Sequence, residues 1–113
     1  MEDKPTLKIL TLEQIKAQLR LEADDNSEDN ELLLYGMAAE QAVSNHINRN
    51  LYQVMPPEID DPTGMLVTHN IIVAMLLMVG QLYENREATS ERTIKEVPVA
   101  YSYLLEKYRV IPV

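Results

Sequence analysis

With 113 residues and a formal net charge of -8, the chain is long enough for one core and too short for two. It is also too acidic to gather the basic face that phosphate backbones require. The absence of cysteine excludes a disulfide framework, Cys-ligated zinc and thiol catalysis, and it fits a reducing compartment.

Residues 1–10, MEDKPTLKIL, read as a flexible arm in which Leu7, Ile9 and Leu10 can dock. Met1 to Pro5 is charged and no long apolar run follows, so no secretory leader is expected. Thr11-Leu12-Glu13-Gln14 is a capping box: the Thr11 hydroxyl can accept from the Gln14 amide while Gln14 reaches back. The helix that follows is predicted to bury Leu12, Ile15 and Leu19, to leave Lys16, Gln18 and Arg20 outside, and to end near Leu21.

An acidic stretch comes next: Glu22, Asp24, Asp25, Glu28, Asp29 and Glu31, with no base among them. A calcium loop starting at Asp24 fails at two defining positions, where Asp29 stands for Gly and Tyr35 for the bidentate Glu. The simpler expectation is that Asp25, Ser27 or Asp29 caps the next helix, with carboxylates at its positive end. Acidic loops also suit a basic partner or a channel wall.

The second helix is predicted over about Asp29 to Asn48. Leu32, Gly36, Ala39, Val43 and Ile47 form its stripe, and its small residues invite close approach by the helix over Ile71–Tyr83. His46 and His69 lie far apart with no metal-ligand spacing around either, so both read as polar surface or helix-end residues. Asn48-Arg49-Asn50 ends the helix, since Asn tolerates a left-handed cap. Residues 51–68 form the longest connection, broken by Pro56, Pro57, Pro62 and Gly64, with Leu51, Tyr52, Val54 and Met55 as a possible short strand.

Thr68 or Asn70 starts the central helix, and the stretch Ile71–Arg86 dominates the chain. Its first half is apolar all round, which predicts burial on most sides. Its second half turns polar at Gln81, Glu84, Asn85 and Arg86 while Leu82 and Tyr83 continue the apolar stripe. Residues 87–96 are polar. Pro98 suits the first position of a final helix, whose contact face is Ala100, Tyr101, Leu104, Leu105 and Tyr108. Residues 109–113 form an apolar tail that must dock on its own domain or on a neighbour. The expected fold is therefore mainly α: a single domain over 1–113, a small bundle of about four helices with a long middle loop. No catalytic constellation, Gly-rich phosphate loop or metal cluster stands out, so neither enzyme activity nor a cofactor is expected.

In order along the chain, LTLEQIKAQLRLEADDNSEDNELL at 10–33, the small-residue helix reaching Asn48-Arg49, LYENREA at 82–88 and VPVAYSYLLEKYR at 97–109 resemble the small head–tail connector (adaptor) family of long-tailed bacteriophages. One departure is local: the family's frequent Thr-Gly-Arg at the end of the second helix is Ile47-Asn48-Arg49 here. The resemblance implies a non-enzymatic, cofactor-free virion protein at the head–tail junction, assembled in the bacterial host cytoplasm. It implies a homo-oligomeric ring of about twelve subunits under the portal protein, extending the DNA channel after packaging and docking neck or tail-completion proteins. DNA would be cargo only, and no membrane is involved.

Interface candidates are Tyr83, Glu84, Asn85 and Arg86, where a buried helix becomes polar, and Tyr108, Arg109, Ile111 and Val113 in the tail. Arg86 can equally pair with an acid of the 22–31 stretch, with Asn85 as a mere cap and Tyr83 in the core. A different class is a small acidic helical regulator, dimeric and protein-binding, mimicking DNA or acting as an antitoxin. The two classes differ in stoichiometry and in portal affinity.

Overall fold

The capping box closes as its spacing predicts and sets the first helix in place. In the computed structural model, which describes residues 6–54, 61–86 and 99–110, Gln14 N–H donates to Thr11 Oγ1 at 3.1 Å and Thr11 N–H to Gln14 Oε1 at 2.9 Å. That starts α1, Leu12–Leu19, which ends at Arg20 in the left-handed conformation, φ 60°. The other described elements are α2 (Asp29–Ile47), β1 (Leu51–Tyr52), β2 (Met65–Leu66), α3 (His69–Asn85), α4 (Val99–Leu105) and a closing 3-10 turn, Glu106–Tyr108. The protein is mainly α, and a two-residue parallel pair, Leu51 with Met65 and Tyr52 with Leu66, is the β structure among the described residues.

The most extensive helix contact is α2 against α3, followed by α3 against α4, so α3 is the central element. Leu32, Ala39, Val43 and Ile47 of α2 and Ile71, Ala74, Met75 and Val79 of α3 are buried, with Ile15, Tyr101 and Leu105 closing the core. Each fully buried Leu, Ile or Met contributes about 1.5–3 kcal/mol, so this shared face dominates the apolar stabilisation. α3 starts at Thr68, whose hydroxyl accepts from Ile71 N–H. α2 stops at Asn48, φ 58°, the left-handed cap that Asn tolerates.

Four features depart from the sequence reading. Lys16 is buried, not outside: its ammonium donates to Ala23 O and Asn26 Oδ1, each at 3.2 Å, and pairs with Asp29 at 3.0 Å. The α2 N-cap is Glu28, with no side-chain cap bond; Asp25 instead accepts from Ser27 N–H and Oγ, and Asp29 is committed to Lys16. Gly36 opens space for Leu7 and Ile15 rather than for α3, since a Cβ there would lie 2.6 Å from Leu7 Cδ2 and 2.9 Å from Ile15 Cδ1. Ala100 is exposed, because Tyr101 and Leu105 take the buried face of α4. The first half of α3 is covered on most sides, as expected: Ile71, Ala74, Met75 and Val79 are buried, Ile72, Leu76, Leu77 and Met78 half-buried, and Val73 is exposed at 47%.

The described part of the N-terminal arm, residues 6–10, is held down, with Ile9 and Leu10 buried. Met55, Pro56, Pro57 and Pro98 lie outside the described residues.

Candidate interface

A polar cluster joins the end of α3 to the start of α2. The two helices run antiparallel, so the turn at which α3 becomes polar meets the acids that open α2. Arg86 pairs with Glu28 and, at 3.2 Å, with Glu31. Its guanidinium carbon lies 4.0 Å from the centre of the Tyr83 ring, a cation–π stack. Tyr83 Oη donates to Glu28 Oε1 at 3.1 Å and Tyr35 Oη to Glu31 Oε1 at 2.7 Å, while the two rings meet edge to face with centroids 6.4 Å apart. Burial, then the Glu31 carboxylate, pushes the Tyr35 phenol up to about 12. Burial and the Glu28 hydrogen bond raise Tyr83, and Glu28 raises the Arg86 guanidinium further above its ordinary range. Both phenols therefore stay protonated donors, and Arg86 stays charged, across physiological pH.

Together with Lys16, this cluster matches three of the six acids of the acidic stretch. The bases missing from 22–31 come from elsewhere in the chain: Lys16 takes Asp29, and Arg86 takes Glu28 and Glu31. Glu22, Asp24 and Asp25 remain exposed.

The second candidate segment lies at the other end of α2. Val110 N–H donates to Ile47 O at 2.8 Å, and the Asn48 amide reaches Val110 O at 3.5 Å. Arg49 clamps two strands of chain, donating to Thr63 O at 2.6 Å and to Tyr108 O at 3.4 Å. Thr68 Oγ1 lies 3.2 Å from Tyr108 Oη, tying the tail to the start of α3. His46, in the last turn of α2, stacks edge-on with Tyr101 at 5.6 Å and lies 3.7 Å from Glu106, beyond hydrogen-bond reach.

Of the residues expected at an interface, half-buried Tyr83 and exposed Arg86 brace two helices of the same chain. Glu84 is exposed and Asn85 half-buried on the same turn; the α3 C-cap is Arg86, not Asn85. Tyr108 is half-buried against Thr68, and Arg109 is exposed with Glu106 at 3.5 Å. Ile111 and Val113 lie outside the described residues.

Sequence reasoning missed Glu40. Its carboxylate is buried and accepts three successive backbone N–H groups, from Lys8 at 3.1 Å, Ile9 at 2.7 Å and Leu10 at 2.8 Å. The signal was present, since Glu40 stands four residues after Gly36 and three before Val43, on the buried stripe of α2. Beside it opens a groove of about 480 Å³, walled by Thr6, Lys8 and Ile9 of the arm and by Asn50–Gln53, with Met37, Glu40, Gln41 and Ser44 as its floor. Among the described residues no group of three or more His, Asp or Glu could hold a metal ion, and no helix is long and apolar enough to cross a membrane.

Compared with known proteins, the chain matches one family model, that of the phage gp6-like head-tail connector protein, over residues 9–109. No curated protein and no solved structure matches it.

Proposed function

The chain belongs to the phage gp6-like head-tail connector family, and from that premise we propose that it is the repeating subunit of a ring seated under the portal. Membership makes it a structural virion component of a non-enzymatic family whose members assemble with other virion proteins, such as portal and tail proteins. The finer reading is that about twelve copies close into a ring by head-to-tail contacts, in which one patch meets a different patch on the next copy. The ring extends the DNA channel after packaging and gives the neck or tail-completion protein its platform. Assembly takes place in the host cytoplasm, on the portal of a filled capsid.

One observation carries this reading: the family match runs over residues 9–109 of the 113. Charge supports it. A channel that lets DNA slide must not grip phosphates, and a subunit with net charge -8 repels them. The exposed part of the turn at Glu84 and the tail from Tyr108 through Arg109, Ile111 and Val113 are the proposed contact segments toward neighbours and portal.

Negative-stain electron microscopy of the purified portal, with and without this protein, tests the reading. An annulus added to one end of the portal is the expected image. Bare portals at saturating protein would reject it and favour the dimeric regulator.

A further inference from the structure

The first half of α3 is apolar on every side, and among the described residues the cover is thinnest on the side facing away from α2, at Val73. Val73, Leu77 and Gly80 follow one another at helical spacing along that face. Val73 is 47% exposed, Leu77 half-buried, and a Cβ on Gly80 would meet nothing within 4 Å. An open glycine one turn after Leu77 lets another helix approach closely. α2 carries a second uncovered patch on its outer face: Leu34, 56% exposed, Met37, 36% exposed, and Ala38. Because α2 and α3 pack on each other through their buried stripes, their outer faces look away from one another. Two different apolar patches on opposite sides of one chain are what a head-to-tail contact requires, whereas a two-fold dimer needs a single self-complementary patch. Charge at the margins agrees: exposed Glu84 continues the α3 face, and exposed Lys8 borders Met37 across the groove.

We propose that the α3 face at Val73, Leu77 and Gly80 of one subunit packs on the α2 face at Leu34, Met37 and Ala38 of the next. This rests on the ring reading and adds which surfaces meet. The contact is heterologous and does not depend on the Arg86 cluster; the tail remains a separate contact segment.

The test uses Val73→Glu and Leu34→Glu, two substitutions at exposed positions, each checked for unchanged circular dichroism and Tm. Wild type and both variants are examined by native mass spectrometry, alone and with the portal. Wild type should give rings, and each variant alone should give monomers. Mixing the two variants should then give dimers of one copy of each and nothing larger, because one intact α2 face and one intact α3 face remain between them. Rings of either variant at wild-type yield would overturn the surfaces while leaving the ring reading standing. So would homodimers of Leu34→Glu, which would indicate α3 meeting α3. Failure of wild type to form rings in either condition would overturn the ring reading, and this proposal with it.

Discussion

Three carboxylates show how far a single residue's role depends on what the fold brings to it. Glu40 has no cation at its side among the described residues; it holds Lys8, Ile9 and Leu10 by their backbone N–H groups and so pins the arm over the core. Replacing it by Gln leaves one acceptor oxygen and turns an amide donor against the remaining N–H groups. Hydrogen bonds to a charged group are worth about 1.5–3 kcal/mol, so Glu40→Gln should lower the unfolding free energy by about 2 kcal/mol. Amide exchange at residues 8–10 should speed up while that of α3 falls only with global stability. Glu28 and Glu31 are instead matched by Arg86. Arg86→Ala should lower Tm modestly, because two carboxylates would then face each other with no cation between them. If bracing the two helices is its whole role, ring formation at a temperature well below Tm should be unaffected; loss of rings from a folded subunit would place Arg86 in the contact between copies as well. The sequence offered Arg86 both roles, since a base pairing with distant acids leaves no local pattern. Glu40 was legible only as a charge on an apolar stripe, and the donors it would find were thirty residues upstream.

At the scale of elements, local chemistry was the most legible. The Thr11 capping box, the Thr68 start of α3 and the Asn48 stop of α2 follow from short-range hydrogen bonding, which needs no tertiary knowledge. The stripe of α2 was equally plain, with Leu32, Gly36, Ala39, Val43 and Ile47 all buried. What failed were readings of residues whose partners come from a loop. Lys16 looked like a surface base because nothing in α1 says that the loop after it folds back to offer Ala23 O, Asn26 and Asp29. The parallel pairing of β1 with β2 was hidden because two-residue strands carry no period. Arg20 yields a clean prediction at this scale. It ends α1 at φ 60°, a conformation that costs an L-residue roughly 1 kcal/mol relative to Gly. Arg20→Gly should therefore raise the unfolding free energy by about 0.5–1 kcal/mol in denaturant titration, with no change in helix content.

For the whole molecule, charge and apolar surface pull in opposite directions. Each copy carries net charge -8, so copies repel, while the outer apolar faces of α2 and α3 favour contact. The Debye length shrinks from about 30 Å at 0.01 M to about 8 Å at 0.15 M salt, so raising salt across that range should increase the fraction of subunits in rings. A contact built on ion pairs would show the reverse trend, and sedimentation velocity distinguishes the two. Acid should act on the fold itself. Hydrogen bonds from Ser27 hold the Asp25 carboxyl below the usual carboxylate range, and those from Tyr52 and Asn50 do the same for Asp61. Their folded-state values lie below the unfolded ones, so their contribution is present above an unfolded value near about 3.9 and is lost as pH falls through the folded values. Fold class and family were readable because the ordered segments span the chain. The contact surface was not, because an all-apolar helix reads the same whether its own domain or a neighbour covers it.

The central claim is that this chain is one subunit of a closed ring on the portal. Native mass spectrometry of the portal saturated with the protein tests it most directly. The account predicts a single added mass equal to a fixed whole number of copies, near about twelve, with no partly filled species at saturation. A portal that gains no mass, beside a free dimer, would contradict it.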